Sequence, residues 1–173
     1  MCVALVGVLV GLMLPVIAGG RSAAQSAQCL AHLRQISAAL LLYASEHDKR
    51  FPDPFAAQTS WEQLLRSYVK DGGLFRCPAD RELFQLVGSS FDWRDTGMPE
   101  TTLAGKLMTD TSRPDCVLAF EALPEWHARG RMNAALLNGA ALSMERDRCL
   151  ADIQSPIRAV APEAKADARR RRG

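Results

Sequence analysis

The sequence predicts an α+β protein in which a long N-terminal helix packs on a small antiparallel sheet with one further short helix. Three observations carry that expectation. Residues 1–18, MCVALVGVLVGLMLPVIA, are an unbroken apolar run. From Ser22 the apolar residues continue at intervals of three and four, as on one face of a helix. Near the other end, Asn138-Gly139 stands between two runs able to form strands, the strongest short-range signal for a hairpin.

The apolar run is about the shortest that crosses a bilayer as a helix, and Pro15 near its end is tolerable there with a kink. A cleaved secretory signal would carry a basic n-region, which is missing, although Val16-Ile17-Ala18 is a small-residue cleavage context. A buried core helix would rarely be so uniformly apolar. Residues 1–20, which hold no charged side chain, are therefore assigned as a membrane anchor. Arg21 and Arg34 follow it and nothing basic precedes it, so the positive-inside rule alone would keep the rest of the chain in the cytoplasm.

Residues 21–50 are read as an amphipathic helix continuing the anchor. Ala23, Ala27, Leu30, Leu33, Ile36, Leu40, Tyr43 and His47 make its apolar stripe, while Arg34, Gln35, Ser37 and Glu46 lie off it. The helix should stop near Asp48, ahead of the Phe51-Pro52-Asp53-Pro54 turn. A helix from Val3 to His47 would be on the order of 65 Å long.

Residues 51–152 are read as an α+β head. Ser60 with Gln63 forms a capping-box pattern that opens a short helix from Trp61 to Val69, and Asp71-Gly72-Gly73 is expected to end it. Leu74 to Pro78 reads as a short extended piece. Ser90 to Trp93 is a candidate strand and Thr96 to Lys106 a loop. Cys116 to Glu121 is a nearly continuous apolar run, the pattern of a well-buried strand. Met132 to Leu137 and Ala140 to Met144 flank the Asn-Gly turn. From Ser155, prolines, alanines and charges offer nothing to bury, and residues 153–173 are expected to be a disordered basic tail ending in four arginines. Such a run can attract anionic lipid or nucleic acid by charge; a solvated terminus is the commoner outcome, and no nucleic acid is expected as partner.

Composition adds exclusions. A formal charge of +2 says little about partners. The five cysteines, Cys2, Cys29, Cys77, Cys116 and Cys149, contain no C-x-x-C pair and no zinc-finger spacing with histidine. The odd total excludes complete intramolecular pairing, and with Cys2 in the apolar run, one or two disulfides fit an exported head. His32, His47 and His127 fall in no H-E-x-x-H pattern, no G-x-S-x-G occurs, and the histidines read as surface or helix-face residues. Asp92, Asp95, Glu100 and Asp110 lack the spacing of an EF-hand. No catalytic residue, cofactor or metal is expected.

In order, these features resemble those of bacterial pilin-like proteins and type II secretion pseudopilins. The branch in question has a prepilin-type N-terminus and a C-terminal domain named for a histidine, nine residues and Asp-Gly. Leu12-Met13-Leu14-Pro15 is similar to that family's leucine-rich run ending in proline, and Cys29 to Ile36 (CLAHLRQI) to its Cys-Leu-x-Asn-Leu-Lys-Gln-Ile signature. Tyr43 and Arg50-Phe51-Pro52 resemble the end of its helix. Trp61 to Val69 and Leu74 to Asp80 (LFRCPAD) fit the stretch that follows, and Asn133 to Gly139 resembles its Asn-Val-Leu-Phe-Ala-Asp-Gly. The likeness covers roughly residues 8–145.

The chain departs from that pattern in places. No Gly-Phe-Thr-Leu-Ile-Glu processing site precedes Cys2, so either Met1 is an internal position or processing has been lost. Ten residues separate His127 from Asn138, and Ala140 stands where the family has a second histidine. The resemblance implies a disulfide between Cys29 and Cys77 that clamps the long helix to the head, worth about 3 to 4 kcal/mol; two buried thiols are the alternative. It implies a non-enzymatic, single-pass inner-membrane protein with its head facing the periplasm or cell exterior. As a pseudopilin-type structural or assembly component, it would meet the bilayer, and other pilin-like subunits, through its N-terminal helix. The alternative is an anchored extracytoplasmic binding module that never enters a filament.

Overall fold

The computed structural model describes residues 2–157, with side chains from Gly20 onward. One helix, α1 (Cys2–Glu46), runs for 45 residues, about 68 Å at 1.5 Å per residue. Its buried face is Cys29, Leu33, Ile36, Ala39, Leu40 and Ala44, the i, i+3, i+4, i+7 set of a helix laid on a core. Ala23 and Ala27, read from the sequence as members of that face, are exposed, as is His47. Small side chains keep a helical period there, but the head does not reach them. After Glu46 the chain turns through Asp48 and Lys49, both at positive φ (50° and 60°), and Arg50 bridges to Leu107.

Short capped turns build the next segment. α2 (Pro54–Ala57) starts on Asp53, whose carboxylate accepts the Ala56 N–H at 2.9 Å. α3 (Trp61–Leu64) starts on Ser60, whose hydroxyl accepts the Gln63 N–H at 3.3 Å. The expected helix to Val69 stops at Leu64, because Arg66 and Tyr68 bond back only three residues, to Gln63 and Leu65. Asp71-Gly72-Gly73 ends no helix; Asp71 opens a 3-10 helix, Gly72–Phe75, by accepting the Gly73 N–H. Leu74 and Phe75 are therefore helical and buried, not extended, and Phe75 meets Trp61 edge-on at 5.2 Å. A further helix the sequence reading lacked, α4 (Leu83–Val87), closes on Gly88 at φ 86°.

The sheet is a four-stranded antiparallel meander in the order β1 (Phe91–Trp93), β2 (Val117–Glu121), β3 (Arg131–Leu136) and β4 (Ala141–Glu145). β3 and β4 pair from Arg131 opposite Glu145 to Ala135 opposite Ala141, across the turn in which Gly139 takes φ 85°. Alternation, interrupted by a register shift between Val117 and Ala119, divides the sheet's two faces. Leu118, Ala119, Ala135 and Ala141 join the core with α1 and Cys77. Val117, Met132, Ala134 and Met144 face α5 (Arg146–Ile153), packing on its Cys149 and Ile153. The result is helix, sheet, helix in three layers.

The reading of residues 153–173 as a tail without burial needs correction at its start. Ile153 completes α5, and Ile157 is 3% exposed in the main core, its N–H bonded to Glu100 O. Residues 158–173 lie outside the described residues. Arg94 fixes this segment from beneath. It is fully buried, donates through Nε to Thr101 O at 2.8 Å, and pairs through Nη1 with Asp152 at 2.9 Å.

Candidate functional site

Four side chains far apart in sequence converge where α1 crosses the sheet. Cys29 comes from the buried face of α1, and Cys77 from just past the 3-10 helix. Glu121 is the last residue of β2, and His127 lies in the β2–β3 connection. One donor atom from each lies within 4.8 Å of those of the others. Cys29 and Cys77 are joined as a disulfide with their Cα atoms 5.6 Å apart, tying α1 to the head.

Against this bridge lies the imidazole. His127 Nε2 is 3.3 Å from Cys77 Sγ and 3.1 Å from Glu121 Oε1, and its side chain is 6% exposed. Burial holds its pKa below the ordinary histidine value, so the ring is neutral near pH 7. Nδ1 is buried with no partner among the described residues, so nothing on that side fixes the tautomer.

Glu121 is 1% exposed, and burial raises its pKa to about 7 even though Asn133 works in the opposite direction. Asn133 donates its backbone N–H to Oε2 at 2.9 Å and its Nδ2 to Oε1 at 3.0 Å. The same amide reaches Ser26 of α1 at 3.1 Å, and Ser22, one turn earlier, donates to His127 O at 2.9 Å. Gln25 on that turn donates to Pro78 O. Ser22 and Gln25 of α1 thus hold the two loops that carry His127 and Cys77, and Ser26 holds Asn133 of β3.

The reading of all three histidines as surface or helix-face residues holds for two. His47 stacks on Tyr43 at 3.9 Å, and His32 sits on α1 with Nδ1 3.0 Å from Arg76 O. His127 differs: it is buried beside a cysteine and a glutamate that no sequence-local pattern connects to it. Glu121 appeared in the sequence only as the end of a strand. The sole hint was a glutamate closing an apolar run, since a buried carboxylate demands partners.

The loop carboxylates do not converge. Asp95 accepts from Thr102, Asp110 from the Leu107 N–H, and Asp92 from the Trp93 N–H. Cys116 and Cys149 are buried free thiols; burial pushes Cys116 up and Cys149 up to about 12, so both stay protonated. No family model, no curated protein and no solved structure matches the chain.

Proposed function

We propose that the chain is a non-enzymatic, membrane-anchored, pilin-like protein of the inner membrane, a structural or assembly component of a type II secretion or pilus-like system. One observation carries the reading. α1 is a single 45-residue helix, yet the first of its described side chains bonded to the head is Ser22 and the first fully buried is Cys29. A soluble domain of this size has no use for about five helical turns beyond its head, whereas a protein displayed from a bilayer does. The uncharged sequence of residues 1–20 supplies the apolar surface for that role. Among the described residues no helix is long and apolar enough to cross a membrane. The side chains of residues 1–19, to which the anchor is assigned, lie outside them.

The head supports a recognition role better than chemistry, because the sulfur nearest a histidine is tied up in the Cys29–Cys77 bridge. Phe55, Leu86, Val87 and Met98 are exposed apolar side chains on its surface. The test is fractionation of the full chain with a C-terminal phosphatase reporter in a bacterial host. The reading requires an alkaline-carbonate-resistant membrane pellet with phosphatase activity outside the cytoplasm; a soluble or inactive fusion would overturn it. Photo-crosslinkers at the exposed positions Ala24 and Gln28 then separate the two forms of the proposal. Crosslinked homomultimers favour a filament subunit, and their absence favours an anchored binding module.

A further inference from the structure

We propose that Cys29, Cys77, Glu121 and His127 form a four-ligand zinc site in the dithiol form of the chain, so that zinc and the disulfide are alternative states of one buried cluster. The inference rests on this geometry and not on the pilin-like reading.

The donor set is the first argument. Two thiolate sulfurs, one imidazole nitrogen and one carboxylate oxygen are ligands that zinc accepts together, in a closed tetrahedron when the site is structural. Bonds of about 2.0 to 2.3 Å imply ligand-to-ligand edges of about 3.3 to 3.8 Å. The separations of His127 Nε2 from Cys77 Sγ, 3.3 Å, and from Glu121 Oε1, 3.1 Å, already approach those edges, and all four donor atoms fall within 4.8 Å of one another. Each ligand comes from a different segment: α1, the chain after the 3-10 helix, the end of β2 and the β2–β3 connection. A metal there would join the same parts of the fold that the disulfide joins, and add two more.

The surroundings are the second argument. Both sulfurs are fully buried and Glu121 is 1% exposed, so the cluster is closed to bulk water, as a structural site requires. A buried glutamate beside a buried histidine has no packing rationale, since an apolar pair of the same size would fill the space at less desolvation cost. Asn133 holds both oxygens of Glu121 and is itself held by Ser26, the outer layer that orients a ligating carboxylate. His127 turns Nε2 toward Cys77 Sγ and Glu121 Oε1, so that nitrogen is the one that faces the cluster.

The two states exclude each other because both use the same sulfurs. Reduction by a phosphine delivers two electrons to the S–S bond. The phosphine leaves as its oxide with oxygen from water, and that water's two protons complete the thiols. Zinc then displaces both thiol protons to solvent as the Zn–S bonds form.

The test uses the full chain in detergent, oxidised or phosphine-reduced under argon, with zinc titrated against a chromogenic chelator and bound metal counted after desalting. Cobalt(II) substitution gives an independent readout through thiolate-to-metal charge-transfer absorption. The proposal expects about one zinc per reduced chain and none per oxidised chain. It also expects the Cys116→Ser/Cys149→Ser double variant to bind as the parent does. Glu121→Gln, which keeps the shape and one of the two Asn133 contacts, and His127→Ala should each weaken binding by about 100-fold or more, and Asn133→Ala by about 10- to 100-fold. Reduced chain that binds no zinc would overturn the proposal. So would binding unaffected by both Glu121→Gln and His127→Ala, or cobalt spectra without thiolate character. Should a variant fail to fold, the comparison of oxidised with reduced parent chain decides on its own.

Discussion

Asp80 offers the sharpest test of how the head is held together. It is 5% exposed and accepts the backbone N–H groups of Glu82, Leu83 and Phe84 at 3.0, 2.8 and 2.8 Å, together with the hydroxyl of Ser90. One carboxylate thus caps α4 and ties it to the residue before β1. Replacing it by alanine removes a helix cap, worth about 1 kcal/mol. It also strands the fully buried Ser90 hydroxyl at a cost of about 2 kcal/mol. Asp80→Ala should therefore lose about 3 kcal/mol in urea unfolding of the full chain in detergent, followed by circular dichroism. The pH dependence gives a second handle. Burial alone would raise the carboxyl pKa, but Ser90 and the three N–H donors outweigh it, and the folded value lies below the ordinary one. A depressed folded pKa means that the contribution is fully present above the unfolded value, near 3.9, and disappears as pH falls through the folded value. The gap between parent and Asp80→Ala should be constant at pH 6 to 7 and close progressively below about pH 4. A loss under about 1 kcal/mol at neutral pH, or a gap that persists unchanged at pH 2, would refute the assignment of Asp80 as an ionised cap.

Two further perturbations probe the clamps on the sheet's opposite faces. The Cys29–Cys77 bridge closes a loop of 48 residues, and Cys29→Ala with Cys77→Ala should cost about 4 kcal/mol by the chain-entropy relation, measured as the shift in urea midpoint against the oxidised parent. Mass spectrometry without reductant on exported protein should find both thiols consumed; two free thiols would rule the bridge out in the cell. Asp152→Ala removes the partner of the fully buried Arg94, and also an acceptor for Arg113 and for the Val117 N–H. A buried guanidinium left without its carboxylate costs about 3 to 5 kcal/mol, and the same unfolding assay should show Asp152→Ala among the least stable single variants.

How far the fold could be read in advance follows from how local each signal is. The α1 stripe, the Cys116–Glu121 run and the Asn138-Gly139 turn carry their own periodicity or turn chemistry within a few residues, and all three elements form where that pattern lies. α4 and α5 do not. Leu83–Val87 is five residues long, too short for a helical period to emerge, and its cap comes from Asp80 across two intervening residues. Arg146–Ile153 is half charged, with only Cys149 and Ile153 buried, so its amphipathicity has just two anchors. The same reasoning explains Ile157, which looked like part of a polar tail because its burial depends on Arg94 and Glu100, more than fifty residues away.

The candidate site is the extreme case of non-local design. Its ligand residues stand at 29, 77, 121 and 127, and only the last two are near enough to be considered together. Even they form no motif until the β2–β3 pairing places Asn133 under Glu121 and α1 presses Ser22 onto the loop and Ser26 onto Asn133. What the sequence does hold is an energetic oddity, a glutamate that closes a buried strand. Such a residue is tolerated only where donors or a cation await it. Asn133 supplies two donors, one to each oxygen of Glu121. A divalent ion between it and two thiolates would supply that cation, with His127 Nε2 already 3.1 Å from the same carboxylate and all four donor atoms within 4.8 Å of one another.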